Sequence, residues 1–484
     1  MAAEREDIAR LLAAAGRHIA AAELDAAAAC YAKVMALDPG LGQVFAAYGS
    51  VRQQQDRLDE ARAAYEKALS LGFDDFAVRC NLGSIAQAEG EYEEAVLHLE
   101  AAAERAPGAA APLVNLGLTL VELGRHRDSL AHFEAALARG GFDDEVRWNR
   151  SAARLALGDY AGGWGDFESR WRIAQMRPLW REYPRPQWRG ESLAGKTLFL
   201  WHEQGLGDTV QFCRYASLAA ARGARVLLQV QPELARLCAG LAGVEVVAGT
   251  PLPDQYDYHS PLMSLPLAFS TLADNIPAQM PYLRADPVDV GAWAARLGAP
   301  RKPRVGVVWS SGIRRHNEAL RHAGVSKTIP LAVLAPLAGL DAQFHSLQIG
   351  DGSAEARAAP GTLSLIDNTA ELRDFADTAA LMANLDAVVS VDTAVAHVAA
   401  AMGLPTFVLL KNAPCWRWFV GRSDSPWYPT MRLFRQQHRN DWRAPVAQLT
   451  TALGHFLDAL APPARRPGRW IDRMLRPGRP GTRS

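Results

Sequence analysis

The chain has 484 residues, 49% apolar and 21% charged, with 52 basic and 52 acidic side chains. Those totals fit a soluble globular protein of about two to four domains, and the even charge balance gives no ground for nucleic acid or an acidic membrane surface as a partner. The cysteines (Cys30, Cys80, Cys213, Cys238, Cys415) are odd in number and form no CxxC pair, so free thiols in a reducing compartment are expected rather than a disulfide framework or a zinc site. Residues 1–7 lack the basic-then-apolar order of a leader, which predicts a cytoplasmic protein.

From residue 8 to about 143 the sequence repeats. Ala27, Ala61, Ala95 and Ser129 recur at one phase; Ala15, Gly49, Gly83 and Gly117 at a second; Tyr31, Tyr65, Leu99 and Phe133 at a third. Small residues at two phases and large ones at another let two helices per unit pack closely. Pro39 and Pro107 end units, and Gly72-Phe-Asp-Asp75 and Gly141-Phe-Asp-Asp144 supply turns. This pattern resembles the tetratricopeptide repeat (TPR), whose period is about 34 residues. Four units are expected, and a fifth, altered one runs through Gly158-Asp-Tyr160 to Trp171. The expected solenoid is residues 1–171. Its concave groove suits a peptide or protein partner; the plain alternative is a structural spacer.

Residues 172–195 are rich in Pro, Arg and Trp and are read as an irregular linker. Gly190 to Thr197 matches the pattern GxxxxGK[ST]. A working P-loop follows a strand and opens a helix. Here the order is reversed, so the match is taken as accidental.

Residues 196–290 read as an α/β half. Strand Leu198–Trp201 leads into His202-Glu-Gln-Gly205-Leu-Gly207-Asp208, then a helix Thr209–Ala221, a strand Arg225–Val230, a helix opened by Pro232 and a strand Val244–Val247. Gly205 and Gly207 let a ligand approach the backbone. Asp208 reads either as a simple helix cap or as a catalytic base facing a cleft.

Residues 291–460 read as a second half. Arg304–Trp309 is its first strand, ending in Ser310-Ser311-Gly312. Gln343–Leu347 is another, followed by Gln348. Ala387–Val391 and Thr406–Leu410 flank a short helix, with Asp392 and Thr393 at its N-cap and Gly403 past its end. Asp392, His397 and the Gly403-Leu-Pro405 break argue against a membrane span here. Such a strand–helix turn favours an anion, with Thr393 and His397 on one face. Cys415 to Pro429 is crowded with aromatics, among them Trp416 and Tyr428. A last helix, about Val446–Leu460, could cross back to the first half. Residues 461–484 carry seven Arg with Pro and Gly and are expected to be a disordered tail.

Two α/β halves with a phosphate-facing helix in the second resemble a GT-B glycosyltransferase, built from two Rossmann-like halves. The Gly-x-Gly-Asp208 turn, together with Asp392-Thr-Ala394-x-Ala-His397 and the following Ala-x-Gly-x-Pro, resembles glycosyltransferase family 9, the ADP-heptose:LPS heptosyltransferases. The resemblance implies that Asp208 is the base, that Asp392 and His397 line the donor site, and that Lys327, in Ser326-Lys-Thr-Ile-Pro330, meets the diphosphate. Family 9 enzymes lack repeats. Repeats fused to a GT-B unit are similar in layout to O-GlcNAc transferases and bacterial flagellin glycosyltransferases, both of which modify proteins.

The expected activity is transfer of a sugar from a nucleotide-sugar donor to a protein held in the repeat groove. The donor is a substrate, and no further cofactor is expected. Ser310, Ser311, Gly312, Lys327, Gln348, Asp392, Thr393 and Ala394 would surround the phosphates without metal. No Asp-x-Asp occurs, which argues against the metal-dependent GT-A class. His397 is expected to bond donor phosphate or sugar, with a satisfied structural histidine as the alternative. Trp416 and Tyr428 would stack the base or simply pack as a lid. Two other functions remain open: a transferase for lipopolysaccharide or capsule precursors, and a non-catalytic scaffold with a nucleotide-binding half.

Overall fold

The computed structural model describes residues 2–174, 176–312, 326–350, 352–358 and 363–460. The Arg-rich tail lies outside the described residues. The chain divides into two compact units, Met1–Ala153 and Arg154–Ser484.

The first unit is a run of paired helices: α1 (Ala2–Ala20), α2 (Leu24–Leu37), α3 (Gly42–Gln54), α4 (Leu58–Ser70), α5 (Phe76–Glu89), α6 (Tyr92–Arg105), α7 (Ala111–Glu122) and α8 (His126–Arg139), with α9 (Asp143–Leu157) crossing the division. The repeat phases explain the pairing. A Cβ placed on Gly49 would lie 2.9 Å from the Tyr65 ring, one on Gly83 2.7 Å from Leu99, and one on Gly117 2.5 Å from Phe133. Each small residue on a first helix is therefore the socket for the large residue on the second. Asp75 caps α5, accepting from the Ala77 and Val78 amides at 2.8 and 3.0 Å, as a short polar side chain does at a helix start.

The second unit opens with α10 (Tyr160–Phe167) and holds two parallel sheets. The first contains β1 (Thr197–Trp201), β2 (Arg225–Gln229), β3 (Val244–Val246) and β4 (Tyr258–Pro261), in the order β3-β2-β1-β4. The second contains β5 (Arg304–Val308), β6 (Gln343–Ser346), β7 (Leu365–Asp367), β8 (Ala387–Val391), β9 (Thr406–Leu410) and β10 (Met431–Arg435), in the order β10-β9-β8-β5-β6-β7. β5, β8 and β9 are buried along their whole length, as apolar strands covered on both faces are. The architecture, helix pairs followed by two Rossmann-like sheets, is that of a TPR solenoid joined to a GT-B-like unit.

Some boundaries differ from the expectations. The helix expected over Thr209–Ala221 is two helices, α11 (Leu206–Phe212) and α12 (Arg214–Ala221), broken at Cys213. The expected linker is built into the first sheet: the Trp188 amide donates to the His259 carbonyl at 2.8 Å and the His259 amide to that of Pro186 at 3.1 Å. Helix α13 (Pro287–Leu297) spans the expected division at 290/291. The last helix, α16 (Arg443–Asp458), packs on the second sheet. Its stripe Val446, Leu449, Leu453 and Leu457 joins the core of the second sheet with Phe407 and Phe434, because those β9 and β10 side chains offer the matching apolar face.

Candidate active site

In each sheet the chain reverses its direction of winding beside the first strand, between β1 and β4 and between β5 and β8. Loops leaving the carboxyl ends of strands at such a switch point diverge and leave room for a ligand. The β1 loop carries His202 to Gly205 and leads into α11 with Gly207 and Asp208, the β5 loop carries Ser310 to Gly312, and the β8 loop Asp392 and Thr393.

Helix α11 packs on α15 (Ala394–Ala401), the helix that follows β8. The contact is close because Gly207 has no side chain: a Cβ there would lie 3.0 Å from His397 Cδ2 and 3.7 Å from Ala394 Cα. Gly207 and Ala394 thus bring the starts of the two helices together. Gly205 sits at the N-cap of α11, and its amide donates to Asp208 Oδ2 at 2.8 Å. The other Asp208 oxygen takes a hydrogen bond from the Arg417 guanidinium.

His397 is buried, and its Nδ1 meets the Tyr428 hydroxyl at 2.9 Å. Its ring lies 5.2 Å from that of Trp418, centroid to centroid. Burial holds His397 at about 4 despite the opposing pull of Asp392, so the imidazole is neutral near pH 7. Asp392 pairs with Lys327 at 2.7 Å. Burial pushes the Asp392 carboxyl up, but Lys327 and His397 outweigh this and hold it at about 2. For Lys327, burial disfavours the charge, and Asp392 more than restores it.

Thr393 occupies the N-cap of α15, but its hydroxyl bonds Ser390 Oγ at 3.0 Å instead of capping. The first amides of a helix have no acceptor within the helix. Gln348, at the end of β6, accepts from the Trp309 and Ser310 amides at 3.2 and 2.8 Å. It organises the β5 loop from behind. Thr328 does the same from the side: its Oγ1 lies 3.2 Å from Ser310 Oγ and accepts from the Ser311 amide at 3.1 Å. Gly312 is the last described residue of that loop.

Of the aromatic pair, Trp416 is buried against Trp164, Phe167 and Phe212. Tyr428 is fully buried and spent on His397. Both pack in the interior of this unit. Trp427 Nε1 donates to the Tyr160 hydroxyl at 2.9 Å, and the Val420 amide to the Ala156 carbonyl at 3.0 Å. The start of this unit therefore clamps the aromatic loop.

Asp208, Gly207, Lys327, Asp392, Ala394 and His397 are brought together. Sequence reasoning missed Arg417, Trp418 and Thr328. Arg417 carried a signal, as the charged residue inside Trp416-Arg-Trp418. The Gly190–Thr197 match is no phosphate loop: Thr197 begins β1, and Lys196 pairs with Asp257 at 3.1 Å. Glu203, beside the site in sequence, is buried on Arg170 at 2.8 Å.

The family model for glycosyltransferase family 9 (heptosyltransferase) matches residues 354–437. That for the tetratricopeptide repeat matches 42–73 and 76–108. The chain therefore carries a TPR region and a family 9-like glycosyltransferase domain. The family 9 match holds Asp392, His397 and Arg417, and is consistent with GT-B transferase activity. Protein FlbA of Caulobacter vibrioides is 29% identical over 339 residues, 64% of this chain and 55% of FlbA. The chain thus spans about half the length of the curated relative it matches. Among solved structures, YrrB, a TPR protein with an unusual peptide-binding site, is 20% identical over 33% of this chain and 83% of its own, with a TM-score of 0.31. PilF of Pseudomonas aeruginosa is 19% identical over 37% of this chain and 82% of its own, with a TM-score of 0.33. Among the described residues, no helix is long and apolar enough to cross a membrane.

Proposed function

We propose that the second unit is a cytoplasmic, metal-independent glycosyltransferase and that the repeats hold a protein acceptor. The observation that carries this reading is the junction of α11 and α15, which gathers Asp208, His397 and the Lys327–Asp392 pair at the switch points of both sheets. In the reaction, an acceptor hydroxyl oxygen bonds to the anomeric carbon of the sugar. Its proton passes to Asp208. The bond from that carbon to the diphosphate breaks, and its electron pair leaves with the nucleoside diphosphate. Lys327 and the free amides at the start of α15 stabilise the departing charge. Neutral His397, oriented by Tyr428, hydrogen-bonds donor phosphate or sugar.

The test is to incubate the full chain with UDP-, GDP-, ADP- and CMP-sugars carrying a radioactive sugar, in an extract of its source cell. Label in a protein band supports the reading. Asp208→Asn should lower the rate by about 10²–10⁴, the contribution of a general base, and near wild-type turnover would remove Asp208 from that role. Deleting residues 1–140, which end with α8, should abolish protein labelling and leave nucleotide binding intact. A second reading, transfer to a lipopolysaccharide precursor, is favoured by the heptosyltransferase description of the family model. Label in the glycolipid fraction instead of a protein band would establish it.

A further inference from the structure

Arg417 is held in the turn Trp416–Trp418 and is only 8% exposed. One terminal nitrogen pairs with Asp208, the other donates to Cys415 Sγ at 2.8 Å, and Nε is buried with no partner among the described residues. A guanidinium has five donors in a planar fork, so this one is underused for so buried a position. Asp208 is engaged at both oxygens. One oxygen accepts from Arg417 and the other from the Gly205 amide. The guanidinium and an acceptor hydroxyl then compete for the same carboxylate.

The neighbouring charges are paired as well. Lys327 is matched by Asp392, and His397 is neutral. Among the described residues the site thus pairs two cations with two carboxylates. A nucleoside diphosphate brings a dianion or more, and competes with these carboxylates for their cations. Lys327 keeps its nearly buried partner Asp392. Arg417 has a free Nε and stands beside the start of α15, because Asp208 is on the helix whose Gly207 touches His397. Bidentate phosphate contacts are what the guanidinium fork favours.

We propose that Arg417 is a donor-operated switch: an incoming diphosphate draws the guanidinium off Asp208, and the base is released only once the donor is seated. The inference rests on the glycosyltransferase reading. It makes Arg417 a donor-binding residue and requires the donor to bind before the acceptor reacts.

The test is calorimetric titration of the full chain with ADP, UDP, GDP and inorganic pyrophosphate. Asp208→Asn removes the competing anion and should tighten the best of these probes severalfold. Arg417→Ala should weaken it by roughly ten- to hundredfold, the worth of a charged hydrogen bond. In the double variant the tightening should vanish, because the switch has no moving part. If Arg417→Ala fails to fold, the tightening in Asp208→Asn alone decides. Wild-type affinity in both single variants overturns the switch and leaves the glycosyltransferase reading standing. If the wild type binds none of the probes, that reading fails and the switch fails with it.

Discussion

The ring of His397 fills the space where residue 207 would carry a side chain: a Cβ on Gly207 would lie 3.0 Å from His397 Cδ2. Gly207 lies inside α11 and is not among the residues with positive φ, so its backbone accepts alanine. The cost of Gly207→Ala should therefore come from His397. We expect a loss of about 1–3 kcal/mol, the usual price of overpacking, with nucleotide affinity falling alongside. In a His397→Ala background the same change should become neutral or stabilise by about 0.4–1 kcal/mol. Urea melts of the four proteins measure the coupling, and additive effects would show that the two residues do not press on each other.

His397 also gives the protein a pH signature. Its folded value, about 4, lies below the ordinary histidine value. As pH falls from about 6.5 the unfolded chain takes up the proton first, so stability is lost between there and about pH 4, by up to about 3 kcal/mol for this group. Arg417 and Lys327 work in the same direction as burial, and Asp392 and Asp208 oppose it. His259 and His345 are also held near 4 by burial and share the slope. Asp392, held at about 2, adds a further loss as pH falls from about 4 toward that value. Unfolding free energies at a series of pH values should show His397→Gln with a shallower slope than wild type above pH 4. An unchanged slope would mean that His397 is protonated in the folded protein.

Lys327→Ala should have two separable effects. The Asp392 side chain is only 10% exposed, so it is left nearly buried without its counter-charge. Because Lys327 itself is 26% exposed, water softens the loss to about 1–3 kcal/mol. Asp392→Ala added to this variant should recover part of the stability, since no charge then stays unpaired. Nucleoside diphosphate affinity should stay low in both, because neither has the cation. Recovery of binding with recovery of stability would place Lys327 outside the phosphate site.

In the repeats, Gly117→Ala should destabilise the first unit, because its Cβ would lie 2.5 Å from the Phe133 ring. An overpacked socket costs about 1–3 kcal/mol. Phe133→Leu, which narrows the knob, should rescue Gly117→Ala while being destabilising by itself. Thermal melts of the three variants check this. Absence of rescue would place the strain elsewhere.

Much of this was legible in the sequence because it is periodic or local. The 34-residue phases reported the sockets at Gly49, Gly83 and Gly117, since one helix pair repeats the same contact. Strands β5, β8 and β9 were legible as unbroken apolar runs, which is what burial on both faces demands. Gly207, Asp208, Asp392 and His397 stood out because the chain places polar and flexible residues just after such runs. What was hidden depends on partners far away in the chain. Arg417 meets Asp208 across 209 residues, and nothing in either local pattern names the other. Trp416 read as a stacking platform or as a packed lid without base contact. The packing of Trp164 and Phe167 against it decided in favour of core in this structure. The last helix showed an apolar stripe without saying which sheet it would cover. The sequence by itself determined the repeat, the strands and the loops that carry polar residues, because hydrogen-bonding period and burial are written along the chain. Only the tertiary structure decided which of those polar residues are paired, neutral or left with an unused donor, because charge state and partnership depend on groups that folding alone brings together.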